Sequence, residues 1–400
     1  MEENKKNKIP NVPNLRFEIN GSVYNEELLM SLSDVRDGTH YSPIYVSNGY
    51  PFITSKNLND DGTIDFENVN YISTEDYNEF SKRSKPNKGD ILFGMIGTIG
   101  KPVLVNTDIE FAIKNVALIK EEKLLLNKYL IHKLLSKSIL DQFNKNKDGG
   151  TQQFISLGNI RKLSIRYPSI SEQLKVAQFL ELVNDRITTQ NKIIEKYESL
   201  IKPLFETLNS NANIEIAIKE LGHYVSADSL SWNDMNDAGE PAIIYGQLFT
   251  DYKYIIDKVT SKTERRIKTK TKDNDLLFPS STTVDSLSLI APSSIKIPGV
   301  IIGGDMFKIE LDKDKFDSDY MSFLINCSLN KKLAKYAQGS TIIHLHYEDI
   351  KLFRMKICDI EKQKEISKHM KLLLEKIAVE RSVVELLQKQ KKYFLDNLFI

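Results

Sequence analysis

The chain has 400 residues, enough for two or three domains of ordinary size, each able to bury a core of its own. Lys and Arg number 55 against 54 Asp and Glu, a formal net charge of +1, so no global field announces nucleic acid or a membrane surface, although a local basic face can be balanced elsewhere. Only Cys327 and Cys358 occur, far apart and without a C-x-x-C spacing, which argues against a disulfide framework or a zinc ribbon. The opening "MEENKKNKIP" has no apolar signal region and no apolar run reaches the roughly 18 residues a membrane span needs. The expectation is a soluble, cytoplasmic protein with no membrane partner.

Residues 1–14 read as a flexible N-terminal tail, and 15–170 as a first globular domain of short alternating segments. "YPFITSKNL", "DILFGMIG" and "FAIKNVALI" alternate like strands, with turn clusters such as "NDDGT" and "NKG" between them. The run "GDILFGMIGTIGKPVLV", Gly89 to Val105, has the glycines and lysine of a phosphate loop. It fails the pattern: Pro102 follows Lys101 where a hydroxyl residue belongs, and Met95 stands where the first glycine should be. Its flanks alternate, so a hairpin is expected instead. A helix is expected over "NKYLIHKLLSKSILDQF".

Residues 171–210 read as a long helix with a coiled-coil seam. Leu180, Val183, Ile187, Gln190, Ile194, Tyr197 and Ile201 follow alternating steps of three and four. Ser171 is expected as its N-cap with Glu172 in the first turn. Pro203 should kink the helix or mark frayed last turns. A second globular domain is expected over 211–360, including "VIIGGDMFKIEL" and a helix at "DSDYMSFLINCSLNKKLAKYA". Residues 361–400 then give a second long helix with the seam Met370, Leu373, Ile377, Glu380, Val384 and Leu387. At about 1.5 Å per residue each helix is a rod of roughly 55 Å.

The chain repeats itself. Thr151 to Leu208 lies over Thr341 to Leu398 at a constant offset of 190, pairing Ile160 with Ile350, Gln173 with Gln363 and Ile187 with Ile377. "GDILF" at 89–93 matches "NDLLF" at 274–278, and the second copy lacks the Gly97 and Gly100 pair and the lysine. A phosphate loop would not be expected to lose those groups at its equivalent position, whereas a core hairpin can. Both seams carry a polar residue at one equivalent place, Gln190 and Glu380, which costs stability but fixes register and partner. The fold class is therefore α+β: two tandem mixed α/β domains, each followed by a long helix, the helices pairing as an antiparallel coiled coil that acts as a ruler.

The ordered set "DGTHYSP", "GYPFITSKNL", "KGDILFGMIGTIGKPVLV", "GGTQQFISLGNIRKLSI" and "SEQLKVAQFLELVNDRI" resembles the specificity subunit of type I restriction-modification enzymes over nearly the whole chain. The second half departs from the pattern, lacking the G-x-I-G element and carrying "QGSTIIHLHYEDI" in place of the glutamine-rich strand. The resemblance implies a non-catalytic subunit whose two target recognition domains each read one half of a bipartite, asymmetric site in double-stranded DNA. It implies that the helices set the spacer and dock two methyltransferase subunits, and that motor-nuclease subunits complete the enzyme. No cofactor is expected in this chain; S-adenosylmethionine, ATP and Mg are expected on the partners.

Base edges are read by polar and cationic side chains on exposed turns, while phosphate contacts supply affinity. The candidates in the first half are Thr39, His40 and Tyr41; Ser55, Lys56 and Asn57; Thr98 and Lys101; and Gly150, Thr151, Gln152 and Gln153. In the second half they are Lys262, Arg265, Arg266, Lys268, Lys270 and Lys272, then Ser340, Thr341, His344 and His346. The stretch "KTERRIKTKTK" is the densest basic run in either domain, though such runs also form solvated faces. His344 and His346 share a strand face but lack a third ligand, so no metal site is expected. No catalytic residue is assigned: the chain has no Pro-Pro pair of a methyltransferase tetrapeptide, and the triplet at 121–123 that could serve a stand-alone nuclease is ordinary in so charged a chain. A coiled-coil scaffold that never touches DNA is the competing reading.

Overall fold

The computed structural model describes residues 13–18, 23–96, 100–145 and 154–400. The chain divides into two compact units, one made of residues 1–191 and 382–400, the other of 192–381, so each unit takes a section of both long helices.

In the first unit a four-stranded antiparallel sheet has the order Val35–Asp37, Val116–Ile119, Ile91–Gly94, Pro102–Leu104. The puzzling glycine run is thus the expected hairpin, Ile91–Gly94 paired with Pro102–Leu104, although Gly97 and Thr98 lie outside the described residues. "ILF" is continuously apolar because its strand is buried on both faces. Ile91 and Phe93 face a core built with Tyr129, Phe143, Val176 and Leu395, while Leu92 faces a second core with Ile53, Val103, Phe111 and Leu118. A three-stranded sheet, Asn70–Ile72, Tyr50–Ile53 and Ala112–Ile113, flanks the first. The segment expected as one helix forms two, Asn127–Lys133 and Lys137–Lys145.

The second unit repeats this plan with additions. Its main sheet runs Gly222–Ser226, Met306–Leu311, Asp275–Pro279, Ser293–Ile295 and Ile255–Ile256, the last pair parallel. A smaller sheet joins Met235–Asn236, Lys262–Thr263, Glu240–Ile244 and Ile301–Gly303. The sequence match "GDILF" to "NDLLF" has a physical cause beyond apolar alternation. Gly89 and Asn274 both take positive φ, +94° and +77°, and turn a buried aspartate inward. Asp90 accepts from the Asn87 N–H at 2.7 Å and pairs with Lys120; Asp275 accepts from the Lys272 N–H at 2.7 Å and pairs with Lys308 at 2.7 Å.

The long helices run Ile170–Leu208 and Ile360–Leu398, 39 residues each. Phe179 packs on Phe394 with ring centroids 4.7 Å apart and Glu198 pairs with Arg381, so the helices are antiparallel. Along the seam Leu180, Gln190, Ile194, Ile201, Met370, Ile377 and Val384 are buried, and Val183, Ile187, Tyr197, Leu373, Glu380 and Leu387 are half-buried. The N-cap of the first helix is Ser169, not Ser171. The helix begins two residues earlier than a Ser171 cap requires, Ser169 Oγ accepts from the Glu172 N–H at 3.3 Å, and Ser171 is drawn outward to donate to Glu18 at 2.7 Å. Nor does Pro203 fray the last turns: the helix continues to Leu208, with Thr207 Oγ1 donating to the Pro203 carbonyl at 2.8 Å.

Each helix is tied to its unit by one buried glutamine. Gln173 Oε1 accepts from the Leu126 N–H at 2.9 Å, while its amide donates to the Leu124 and Pro168 carbonyls, both at 3.0 Å. Gln363 repeats this, accepting from the Asp317 N–H at 3.0 Å and donating to the Lys315 and Cys358 carbonyls at 3.2 and 2.8 Å. Replacing either by Leu leaves an N–H and two carbonyls unsatisfied in a dry site, at about 1–3 kcal/mol per group. Gln173→Leu and Gln363→Leu are each expected to lower unfolding free energy by ~3 kcal/mol or more in urea titrations, whereas Lys175→Leu on the exposed face should change it by under ~0.5 kcal/mol.

Candidate nucleic-acid interface

In the first unit Thr39, His40 and Tyr41 follow the strand Val35–Asp37. Two turns are drawn together by a residue the sequence reading missed, Asn115, which sits at φ +54° between two strands. Its N–H donates to the Thr39 carbonyl at 3.2 Å, its carbonyl accepts from Ser55 Oγ at 3.3 Å, and its side-chain oxygen lies 2.6 Å from His40 Nδ1. His40 Nε2 lies 3.0 Å from Asp37, which also pairs with Arg83. Tyr41 is left 63% exposed beside this knot. An Asn in a short linker between apolar strands, "AIKNVAL", was the available signal, because Asn tolerates the left-handed region.

The remaining first-half candidates separate. Lys56 is exposed, but Asn57 is buried, its Oδ1 accepting from the Thr54 N–H at 3.0 Å and its amide donating to the Asn68 carbonyl at 3.0 Å. Gln247 does the same in the second unit, accepting from the Ile244 N–H at 3.1 Å. Ser55 and Asn57 therefore use their polar groups within the fold. Lys101 pairs with Asp60, and both line a cleft with residues of the long helices. Thr98, Gly150, Thr151, Gln152 and Gln153 lie outside the described residues.

In the second unit His344 and His346 line a cleft of about 620 Å³ with Tyr224, Trp232, Tyr245 and Asp305. The two imidazoles lie parallel, 5.9 Å apart between centroids. Among the described residues no group of three metal-ligating side chains forms. Trp232, the chain's only tryptophan, is 60% exposed and was not foreseen; its lone occurrence in the polar run "SLSWNDMND" was the sign. Its turn is held by Asp234, which accepts from the Ser231 N–H and hydroxyl, both at 2.8 Å. Those bonds, with Arg265, hold the Asp234 carboxyl below its usual range. Behind the turn the "GG" of "VIIGGDMF" is required, because a side chain at Gly303 would meet Leu230 Cβ at 2.2 Å and Gly304 has φ +86°.

The basic run is split by its partners. Arg265 pairs with Asp234 at 3.2 Å, Lys272 with Glu310 at 2.7 Å, and Lys270 with Glu240. Lys262, Arg266 and Lys268 are exposed and make no ion pair among the described residues. Ser340 and Thr341 are exposed on the segment leading into Ile343–His344. The arrangement offers hydrogen-bonding and aromatic groups on loops over rigid sheets, with a few free cations beside them. That set suits recognition of a polar polymer.

Comparison with known proteins agrees on one family. The model of the type I restriction modification DNA specificity domain matches the chain twice, over residues 33–199 and 215–389. A putative type I restriction enzyme specificity subunit of Haemophilus influenzae is 35% identical over 116 residues, a match that spans 28% of either chain. The putative MjaX specificity subunit of Methanocaldococcus jannaschii is 24% identical over 379 residues, covering 88% of this chain and 86% of that one. The S subunit of a type I restriction-modification system from M. genitalium superposes with a TM-score of 0.55 at 16% identity, covering 97% of this chain and 99% of its own. A chain from a study of complex assembly in the type I system gives 0.61 at 14% identity, with 95% and 98% covered. With both halves matched by one domain model and the same plan built twice around paired helices, the chain belongs to the family of type I restriction-modification DNA specificity subunits.

Proposed function

We propose that this chain is the sequence-reading, non-catalytic subunit of a type I restriction-modification enzyme, with one half-site of double-stranded DNA read by each unit. The observation that carries this reading is a single scaffold bearing two unlike surfaces. Asn57 and Gln247, Asp90 and Asp275, Gln173 and Gln363 do the same work in both units. The polar and aromatic groups on the loops differ: exposed His40 and Tyr41 with half-buried Asn115 in one, exposed Trp232 and His346 with half-buried His344 in the other. Two different surfaces on one scaffold suit an asymmetric bipartite site.

Adenine methylation and DNA cleavage then fall to partner subunits, two methyltransferases and the motor-nuclease, which would carry S-adenosylmethionine, ATP and Mg. A partner that methylates a base must take it out of the stack. Docking on the paired helices is supported by an apolar stripe on the second one: Leu372, Val379, Leu386 and Tyr393 recur every seventh residue and are each more than half exposed. The scaffold reading accounts for that stripe but not for the divergent loops.

The deciding experiment is co-expression with a cognate methyltransferase subunit and mapping of N6-methyladenine across the host genome. A split, asymmetric motif that vanishes when this chain is removed is expected; methylation independent of this chain would leave the scaffold reading. Shortening both long helices together by one heptad should shorten the spacer of that motif and leave its half-sites unchanged. Arg266→Ala and Lys268→Ala should each weaken duplex binding and reduce the slope of log affinity against log salt by about 0.9, as loss of one phosphate contact requires. Lys331→Ala, on the helix Asn330–Leu333, should leave the slope unchanged.

A further inference from the structure

The internal repeat extends to a cavity. Each unit has a cleft where both long helices meet a loop of the globular part, about 560 Å³ in the first and 530 Å³ in the second. The helix positions lining them correspond: Asn184, Ile187, Thr188 and Asn191 in the first fall on Leu374, Ile377, Ala378 and Arg381 in the second. The other helix supplies Gln388 and Lys391 to the first cleft, and Glu198 and Ile201 to the second. Position is shared and chemistry is not.

In the second cleft the cations on the long helices are both paired. Arg381 pairs with Glu198, and Lys371 pairs with Asp319 at 2.7 Å. The first cleft contains a cation with nothing to answer it. Lys391 is half-buried and makes no ion pair or hydrogen bond among the described residues; burial pushes its pKa down. Of the two carboxylates at the cleft, Asp60 pairs with Lys101, which lines the cleft too, and Asp61 accepts from the Thr63 N–H at 3.0 Å and its hydroxyl at 2.6 Å. His132 also lines the cleft, 5% exposed, with Nδ1 lacking a hydrogen-bond partner among the described residues. Burial first, and then the charge of Lys391, hold its imidazole neutral, with a pKa of about 4. By the register that Leu126 and Asp317 define, the second unit has buried, apolar Phe323 at that place.

An unpaired ammonium withdrawn from water is costly unless a counter-charge reaches it. Beside it the amides of Asn184, Asn191 and Gln388 and the hydroxyl of Thr188 offer neutral donors, and the cleft is of the size that holds small ligands. We propose that the first cleft is an oxyanion-binding site, accepting a phosphate or a carboxylate between Lys391 and these donors, and that the second cleft is not. A bound oxyanion touches residues of both long helices and the turn that carries Lys101, so it clamps the first unit's helices to its hairpin.

The test uses the full chain with labelled histidine, the His132 signal being identified by its loss in His132→Phe. Inorganic phosphate and succinate are titrated separately against chloride at constant ionic strength. A saturable shift of His132 is expected, with its pKa raised above about 4 as the anion offsets Lys391. Saturation at lower phosphate than succinate assigns a phosphate ligand, and the reverse order a carboxylate. Lys391→Gln should weaken binding tenfold or more. Gln388→Glu, which places at the exposed rim the carboxylate that Glu198 supplies in the second cleft, should do the same without touching the core. No saturable shift with either anion, or undiminished binding in Gln388→Glu and Lys391→Gln, overturns the proposal.

Discussion

The buried carboxamide at the start of each long helix is the constraint on which the rest of the molecule depends. A glutamine side chain offers one acceptor and two donors on a planar group, and Gln173 and Gln363 use all three on main-chain atoms. Their partners come from the strand leading into the helix and from the segment before the unit's short helix. The start of each long helix and a segment 46–49 residues before its glutamine are thereby fixed at one point. No apolar residue could do this, because main-chain groups left unpaired in a dry site cost more than the burial of a side chain returns. Glu would bring a charge and lose both donors.

From that anchor the helices are held at their roots, and the loops at the far edges of the sheets are free to vary. The first unit's sheet strand Ile91–Gly94 shows how rigid the intervening layer is, since its residues alternate between two separate cores. A loop supported by such a strand can change its side chains without changing where they stand. Asn115 and Trp232 illustrate the two results: one draws neighbouring turns into a hydrogen-bonded knot, the other projects an indole over a cleft.

Much of this was legible in the sequence. The tandem plan, the seams and the hairpin nature of the glycine run follow from periodicity and self-comparison, because a core repeats its pattern. The start of the first helix was misplaced by two residues because two serines flank Ile170, and only the competition of Glu18 for Ser171 decides between them. Ser55 and Asn57 read as exposed polar groups because composition cannot reveal that a short turn folds them inward. Asn115 and Trp232 were passed over for the opposite reason: neither belongs to a run or a period, and each acts through its place in three dimensions. The lysine-rich stretch looked uniform, yet Asp234, Glu240 and Glu310 neutralise half of it from other strands.

The comparison of the two halves separates structural from functional polarity. Where a buried polar group recurs with the same partners, as Asp90 and Asp275 do, its role is to satisfy main chain or a lysine, and the fold accounts for it fully. Where the scaffold recurs and the chemistry does not, the fold alone does not account for the residue. Lys391 against Ile201, in corresponding clefts, and His132, which lines the first cleft, against buried Phe323 are such positions, and in each pair the second unit carries the apolar residue that packing favours. Lys391 makes the stronger case, since Ile201 demonstrates that the same helical position packs without a charge. A half-buried ammonium held where an isoleucine suffices is evidence for a ligand that the isoleucine would not bind.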